Sequence, residues 1–190
     1  MAVAKALRLF LLTMSACLVV SGSALAVDLS GTTWERVAQD KDLDPHLLYA
    51  VSLAESQNAA PGHPGYATPW KWAVNDRGQG IFFDSRAEVQ SYINEQLSAG
   101  NRNIDVSLMQ INIRWHGHRV EDPLQLLETE IAIRVAADIL NESIASAPGD
   151  IELGIGRYHH WRDESRARAY GRKVIEIYRQ LRLLSAHNPD

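Results

Sequence analysis

Apolar residues recur at helical spacing along most of the chain, and turn-forming residues separate the stretches. This alternation predicts a mainly helical domain. The apolar positions that define the longer predicted helices are Trp34, Val37 and Ala38; Leu48 and Val51; Val89, Ile93 and Leu97; Ile131, Val135 and Ile139; and Tyr170, Val174, Ile177, Tyr178 and Leu181.

Capping residues mark where these helices begin. Asp44 can accept hydrogen bonds at an N-cap, and Pro45 suits the first helical position. The sequence from Ser85 to Glu88 is a capping box. Asp122-Pro123 and Asp150 are expected to start two further helices, the second running from residue 151 to about residue 158.

One stretch has strand periodicity instead. Trp70, Trp72 and Val74 alternate with other residues, 75–78 is a turn sequence, and 80–83 can return as a second strand. Residues 101–118 are predicted to be mostly loop. The expected fold class is therefore mainly α, a single helical domain with a small β-hairpin.

The first 26 residues have the pattern of an export signal. Lys5 and Arg8 precede an apolar core over 9–20, and small residues lead to Ala26. We predict a signal peptide over 1–26 and a domain over 27–190, located in the periplasm or cell envelope. A retained N-terminal anchor and lipidation at Cys17 stay open as alternatives.

Composition limits the function of the remaining 164 residues. They keep 17 of the 19 basic residues and all 23 acidic ones, so their formal net charge is −6. This balance does not favour nucleic-acid binding. They contain no cysteine, and no second apolar stretch is long enough to span a bilayer after signal cleavage.

Glu55 is the strongest candidate for chemistry. It falls on the same helical stripe as Leu48 and Val51. A glutamate on an apolar stripe loses hydration, which favours its neutral form. A carboxylic acid that stays protonated near neutral pH can protonate a leaving group.

Three segments in order resemble the soluble lytic transglycosylase family. Residues 54–58 (Ala-Glu-Ser-Gln-Asn) are similar to its Glu-Ser motif, residues 105–112 (Asp-Val-Ser-Leu-Met-Gln-Ile-Asn) to its Gly-Leu-Met-Gln motif, and residues 156–160 (Gly-Arg-Tyr-His-His) stand where that family has Tyr-Asn-x-Gly. The likeness is strongest to small members that serve conjugation and secretion machines.

The resemblance implies a lysozyme-like fold and a peptidoglycan substrate. It implies cleavage of the β-1,4 bond between N-acetylmuramic acid and N-acetylglucosamine, which leaves a 1,6-anhydromuramyl end. It implies no metal or organic cofactor. The expected partners are peptidoglycan glycan strands and a conjugative transfer or secretion complex.

The resemblance also assigns roles to residues. Glu55 is the expected acid and base, with Tyr158 holding Glu55 or the reacting sugar through its hydroxyl. Ser56 is expected to support the acid. Met109 and Gln110 are expected to line the sugar groove, and for Met109 a role in filling the core stays open as an alternative.

The same resemblance bears on further residues of the motifs. Asn112 either contacts substrate or bonds within its own loop. His159 replaces the family's usual Asn and is expected to contact glycan or orient Tyr158. Ser107 replaces a usual Gly, so a positive φ there would strain the backbone, and its side chain would intrude on the groove. Trp70 and Trp72 are candidates for stacking on sugars, with packing in the hairpin as the alternative for at least one of them.

Alternatives stay open at this point. A hydrolytic lysozyme needs a second carboxylate, for which Asp76, Asp105 and Glu164 are candidates. A non-catalytic glycan-binding assembly factor would keep the groove without turnover. A zinc hydrolase could use the four nearby histidines, although the helical His-x-x-x-His pattern is missing; these are His116, His118, His159 and His160.

Overall fold

The structure is a computed structural model, and it describes residues 27–55 and 69–186. The predicted signal peptide over 1–26, including Cys17, and the predicted site residue Ser56 lie outside the described residues. Among the helices described, none is both long and apolar enough to cross a membrane.

The described chain is mostly helical and carries one small antiparallel sheet. Its α-helices are α1 (Thr33–Asp40), α2 (Pro45–Glu55), α3 (Arg86–Ser98), α4 (Ile113–His116), α5 (Thr129–Ala145), α6 (Ile151–Gly156) and α7 (Glu164–Ala186). Its strands are β1 (Ala73–Asp76), β2 (Gln79–Phe82), β3 (Ile104–Val106) and β4 (Ile111–Asn112). Two short 3-10 helices cover Gly117–Arg119 and Pro123–Leu127.

The predicted helix starts are confirmed at the level of individual hydrogen bonds. The Asp44 carboxylate accepts from the backbone N–H of His46 at 2.8 Å, which caps α2. The Ser85 hydroxyl accepts from the backbone N–H of Glu88 and caps α3. Asp150 caps α6 in the same way through the N–H of Leu153.

A continuous apolar core joins the helices to the sheet. It includes buried side chains from α1, α2, α5, α7 and the strands: Val37, Leu48, Val51, Val74, Ile104, Val106, Ile133, Ala136, Leu140 and Val174. Helix α5 contacts α1 and α6, and α7 packs against both α2 and α6. The end of α2 and the turn after α6 are therefore both held against α7.

The predicted hairpin is correct in kind but incomplete. Strand β1 begins at Ala73, after Trp70 and Trp72, and the sheet has four strands in the order β2-β1-β3-β4. Residues 101–118 were predicted to be mostly loop, which is wrong. They contain β3 and β4. Val106 of β3 pairs with Val74 of β1 on one side and with Ile111 of β4 on the other. Such short strands gain their stability from pairing that the local sequence does not encode.

The helix predicted to begin at Asp122-Pro123 is also interrupted. A 3-10 helix ends at Leu127, Glu128 takes an extended conformation, and α5 starts at Thr129. The Asp122 and Gln125 side chains form a reciprocal capping box around the 3-10 segment. The start signal is therefore real, but it belongs to a separate short element.

The turn between β3 and β4 is strained at two non-glycine residues. Ser107 has φ +66° and Gln110 has φ +46°. The sequence predicts backbone strain at Ser107 if its φ is positive, and this is confirmed, because Ser107 takes the left-handed conformation that favours glycine. Ser107 is fully buried and its hydroxyl has no hydrogen-bond partner among the described residues. The prediction that its side chain intrudes on the groove is wrong.

Helices α6 and α7 approach so closely that their backbones touch. A Cβ on Gly156 would overlap the carbonyl oxygen of Ala167 and lie 2.9 Å from its Cα. A Cβ on Gly171 would overlap the carbonyl oxygen of Glu152. Each helix thus contributes a glycine to the contact, and no other residue type fits without backbone movement.

Replacing Ser107 is expected to stabilise the protein. Ser107→Gly should have a free energy of unfolding about 1 kcal/mol higher than Ser107→Ala, because both remove the unpaired hydroxyl but only glycine relieves the left-handed strain. Urea denaturation measures both. Ser143 is a matched control, since its hydroxyl is also buried and unpaired but lies inside α5. There the order should reverse, with Ala more stable than Gly by about 1 kcal/mol.

Adding a methyl group at the α6–α7 contact is expected to be costly. Gly156→Ala should lower the free energy of unfolding by about 2 kcal/mol or more, because backbone must move to accommodate it. Gly80→Ala is the control, since a Cβ there meets only the Phe82 ring at 3.5 Å. Equal unfolding midpoints in urea for the two variants would contradict this prediction. They would mean that α6 and α7 can move apart to accept a methyl group at little cost in stability.

Candidate functional site

A groove of about 980 Å³ runs between the sheet and the helices. Its walls come from the end of α2, from β1, β3, β4 and α4, from α5, and from the α6–α7 turn with the facing side of α7. Glu55 lies in this groove as the last residue of α2. The carboxylate singled out from sequence therefore lies in a surface depression, at a helix end.

Glu55 is almost completely withdrawn from solvent. Its side chain is 6% exposed. The Tyr170 hydroxyl donates a hydrogen bond to its Oε1 at 2.6 Å, and His159 Nδ1 lies 3.3 Å from the same oxygen. A buried carboxyl group needs such partners, since burial without them is costly. The arrangement holds the carboxyl group in one orientation inside the groove.

Helix α7 also secures the backbone beside Glu55. The Lys173 ammonium donates to the backbone carbonyl of Ala54 at 2.9 Å. This carbonyl is one of those that the last turn of α2 leaves without a helical partner. A cation is favourable at that end of a helix dipole. Tyr170 and Lys173 are three residues apart on α7, so one face of α7 binds both the side chain and the helix end.

His159 couples the α6–α7 turn to the same carboxylate. Its ring stacks on Tyr170, with centroids 4.8 Å apart and planes 12° apart. The hydrogen bond to Glu55 raises the pKa of His159 above its ordinary value, although partial burial acts against this shift. The negative charges of Glu55 and Asp105 add to the rise, and Lys173 opposes it. His159 therefore carries a proton at higher pH than a free histidine.

Tyr158 lines the groove but does not hold Glu55. Its hydroxyl donates to the backbone carbonyl of Met109 at 2.9 Å. Burial, with the negative charges of Glu55 and Asp105, raises the pKa of Tyr158 well above its ordinary value. The predicted role of holding the acid is filled by Tyr170 instead. Tyr158 stays protonated and joins the α6–α7 turn to the β3–β4 turn.

Of the two roles predicted for Met109, groove lining is wrong and core filling is correct. Its side chain is fully buried in the core and does not line the groove. It contributes its backbone carbonyl to Tyr158 and its side chain to packing. Gln110 does line the groove, and its amide donates to the Ser107 carbonyl at 2.8 Å.

Asn112 and Asp105 form a polar pair on the sheet wall of the groove. The Asn112 amide donates to the Asp105 carboxylate at 2.8 Å, across the β3–β4 pairing. Asn112 also caps α4 through its side-chain oxygen. Of the two roles expected from sequence, substrate contact or bonding within its own loop, the structure shows the second. Burial raises the pKa of Asp105, nearby Glu55 adds to the rise, and the Asn112 hydrogen bond opposes it.

The other two carboxylates considered from sequence lie elsewhere. Asp76 accepts from Tyr92 and Asn101, and Glu164 pairs with Arg168 on the surface of α7. Neither lines the groove. Of the three candidates, Asp105 is therefore the one that the fold places in the same groove as Glu55, and Glu142 and Asp163 line that groove as well.

Sequence reasoning missed Tyr170 and Lys173 as site residues. Tyr170 lies on the apolar face of the last helix and was assigned to packing alone. A signal was present, because a tyrosine on a buried face must find a partner for its hydroxyl. No local pattern identifies Lys173, since its partner is a backbone carbonyl 119 residues away in sequence.

The histidines do not assemble into a metal-binding group. His116, His159 and His160 line the groove, whereas His118 is exposed outside it. Within residues 27–55 and 69–186, no three His, Cys, Asp or Glu side chains are grouped to hold a metal ion. His116 is instead partly buried beside Arg119, and these two factors, burial first, lower its pKa to about 4.

No protein-family model matches this chain, and no curated protein or solved structure matches it either. The likeness to lytic transglycosylases consequently depends on the three motifs alone. What the structure adds is their spatial relation. The Glu55 motif, the 105–112 motif and the 156–160 motif all contribute to one groove.

The histidine–glutamate contact predicts a measurable titration. In Glu55→Gln, the pKa of His159 should fall, because its largest stabilising partner loses its charge. NMR titration of the ring protons measures this. His116 is an internal control, since its shift arises from burial and Arg119, and it should still titrate at about 4. An unchanged His159 pKa would mean that the contact does not exist in solution.

The same contact predicts a pH dependence of stability. Because folding raises the His159 pKa, its stabilising contribution is complete below about pH 6.5 and is lost as pH rises through the higher folded value. The stability difference between wild type and His159→Asn should therefore shrink from pH 6 to pH 9. Urea unfolding across that range measures it, and a difference that grows with pH contradicts the assignment.

Proposed function

We propose that the chain is a peptidoglycan lytic transglycosylase with a lysozyme-like fold, and that Glu55 is its acid and base. The observation that carries this proposal is the setting of Glu55, a carboxyl group 6% exposed in an open groove and bonded to Tyr170 and His159. Perturbed titratable groups around one buried carboxylate in a cleft are typical of active sites.

The proposed reaction uses Glu55 twice. Its proton passes to the glycosidic oxygen as the bond to the anomeric carbon of N-acetylmuramic acid breaks. The carboxylate then accepts the proton of the C6 hydroxyl as that oxygen attacks the anomeric carbon. The products are a free 4-hydroxyl on N-acetylglucosamine and a 1,6-anhydromuramyl end, and no water is consumed. Attack within one sugar benefits from proximity.

The neighbours of Glu55 suit these two steps. Tyr170 donates to Oε1 and keeps the carboxyl group oriented without competing for its proton, because burial raises the pKa of Tyr170 well above its ordinary value. His159 favours the ionised carboxylate when it is itself protonated, and it can stabilise Glu55 after the first transfer. On the sheet wall, Gln110 offers its side-chain oxygen to sugar hydroxyl and acetamido N–H groups, because its amide nitrogen already donates to Ser107. The Asn112 amide is used within the protein and positions Asp105 and the start of α4.

The position of Asp105 supports a second candidate function, a hydrolytic lysozyme. Most glycosidases place a second carboxylate across the scissile bond. Asp105 lines the groove with Glu55, and its negative charge contributes to the raised pKa values of Tyr158 and His159. Asp105 would either activate a water molecule or stabilise the positively charged sugar ring of the transition state. Water would then attack the anomeric carbon, and the product would be a reducing muramic acid end.

We further propose that the activity opens the wall locally for a conjugation or secretion apparatus, in the periplasm or cell envelope. The support is the resemblance of the 105–112 and 156–160 motifs to small transglycosylases of those machines. Loss of transfer on deletion, restored by wild type but not by Glu55→Gln, is the expected genetic result.

The decisive experiment is mass analysis of muropeptides released from purified sacculi by the chain over 27–190. Wild type should release 1,6-anhydromuramyl products. Glu55→Gln should reduce them by about 10²- to 10⁴-fold, because general acid–base catalysis contributes on that order. Glu164→Gln is the matched control, since that glutamate is exposed on α7 and should leave the yield unchanged.

The same analysis separates the two candidate reactions. Reducing-end products that disappear in Asp105→Asn would establish hydrolysis and overturn the transglycosylase proposal. Sacculus binding without any released product from wild type would instead favour the non-catalytic assembly factor.

A further inference from the structure

Two exposed tryptophans border the groove that contains Glu55. Large apolar side chains are mostly buried in this protein, yet Trp115 is 62% exposed and Trp161 is 57% exposed. Both line the Glu55 groove. An indole that is largely exposed at the wall of a groove has a free aromatic face that a ligand can cover.

Trp115 comes from the sheet side of the groove. It lies in α4, directly after β4, and Asn112 caps that helix by accepting from the backbone N–H of Trp115. The Arg114 guanidinium lies 5.1 Å from the indole centroid. The Asn112 that caps this helix also binds Asp105, so the backbone of Trp115 is tied to the wall of the groove.

Trp161 comes from the helical side of the groove. It lies in the turn between α6 and α7, two residues after His159. The Arg157 guanidinium lies 5.9 Å from its centroid, and Arg157 is itself held by two hydrogen bonds to Ser146. A cation over one face of an indole restricts the ring while it remains largely open to solvent.

Trp70 and Trp72, the two candidates from sequence for sugar stacking or hairpin packing, lie outside this groove. Trp70 and Trp72 meet edge to face at 6.3 Å and line a separate pocket of about 370 Å³, together with Trp34 and Tyr49. Trp70 also donates its indole N–H to the Phe83 carbonyl. These rings pack against one another and do not reach the Glu55 groove.

We propose that Trp115 and Trp161 are sugar-stacking platforms that hold separate units of a β-1,4-linked N-acetylhexosamine strand in the Glu55 groove. The inference rests on the proposed function for the identity of the strand. A pyranose ring presents a face of C–H groups flanked by hydroxyls. An open indole covers that face, and nearby polar side chains bond the edges. The groove offers both, with the side-chain oxygen of Gln110 on its sheet wall.

Stacking at two separate rings makes binding depend on strand length. A short oligosaccharide can engage one indole, whereas a long strand engages both and gains from the second contact as an intramolecular event. The two contacts come from separate segments, so their effects on binding free energy should be nearly additive.

The experiment measures binding without turnover. All variants are made in the Glu55→Gln background, and binding is measured by co-sedimentation with purified sacculi and by titration with N-acetylglucosamine hexamer. Trp115→Ala and Trp161→Ala should each weaken binding about three- to tenfold. The double variant should lose close to the product of the two factors. Tyrosine at either position should restore most of the loss, since it keeps an aromatic face.

Leu183→Ala is the matched control. Leu183 is 68% exposed on α7 and does not line the groove, so its removal should leave binding unchanged. Because all three side chains are exposed, the urea midpoints of the variants should match that of the Glu55→Gln parent. This comparison excludes loss of fold as the cause of weaker binding.

The outcomes separate this inference from the proposed reaction. Binding to sacculi and hexamer that is unaffected in the double variant overturns the inference, whatever products wild type releases. Binding that is lost only for sacculi and not for hexamer also overturns it, because the tryptophans would then contact a non-sugar part of the wall. Weakened hexamer binding with no 1,6-anhydromuramyl product from wild type leaves the stacking role intact and rejects the transglycosylase assignment.

Discussion

The backbone contact between α6 and α7 positions the whole site. Gly156 and Gly171 let the two helices approach until a side chain at either position would overlap a carbonyl group of the other helix. Helix α7 therefore presents Tyr170 and Lys173 to the end of α2, while the turn after α6 delivers Tyr158 and His159 to the same place. The Glu55 carboxyl group meets partners from both segments because this distance is so short.

Much of the fold could be predicted from local sequence. Helix starts at Asp44, Ser85 and Asp150 depend on a side chain and a backbone N–H two or three residues away, so the short-range pattern contains the information. The sheet could be predicted only in part. Strands β3 and β4 are three and two residues long, and their existence depends on β1, which is about 30 residues earlier.

The candidate site residues also differ in whether local sequence identifies them. Glu55 was identifiable because its position on an apolar helical stripe is a local property, and Tyr158, Gln110, Asn112 and His159 followed from motif resemblance. Tyr170 was not identified, because the hydroxyl acts on Glu55 across 115 residues of chain. The motif alone left Met109 between the groove and the core. The left-handed residues Ser107 and Gln110 lie before and after it in the turn, and its side chain is buried in the core.

The two contacts to Glu55 share one oxygen. Tyr170 and His159 both approach Oε1, whereas none of the described residues forms a hydrogen bond to Oε2. In the proposed reaction, Oε1 is engaged by these neighbours, so Oε2 is the oxygen that remains to exchange a proton with substrate. The equivalence of the two carboxyl oxygens is thereby broken. Any proton that Glu55 gives up would leave from one defined atom, in one direction, without a rotation of the group.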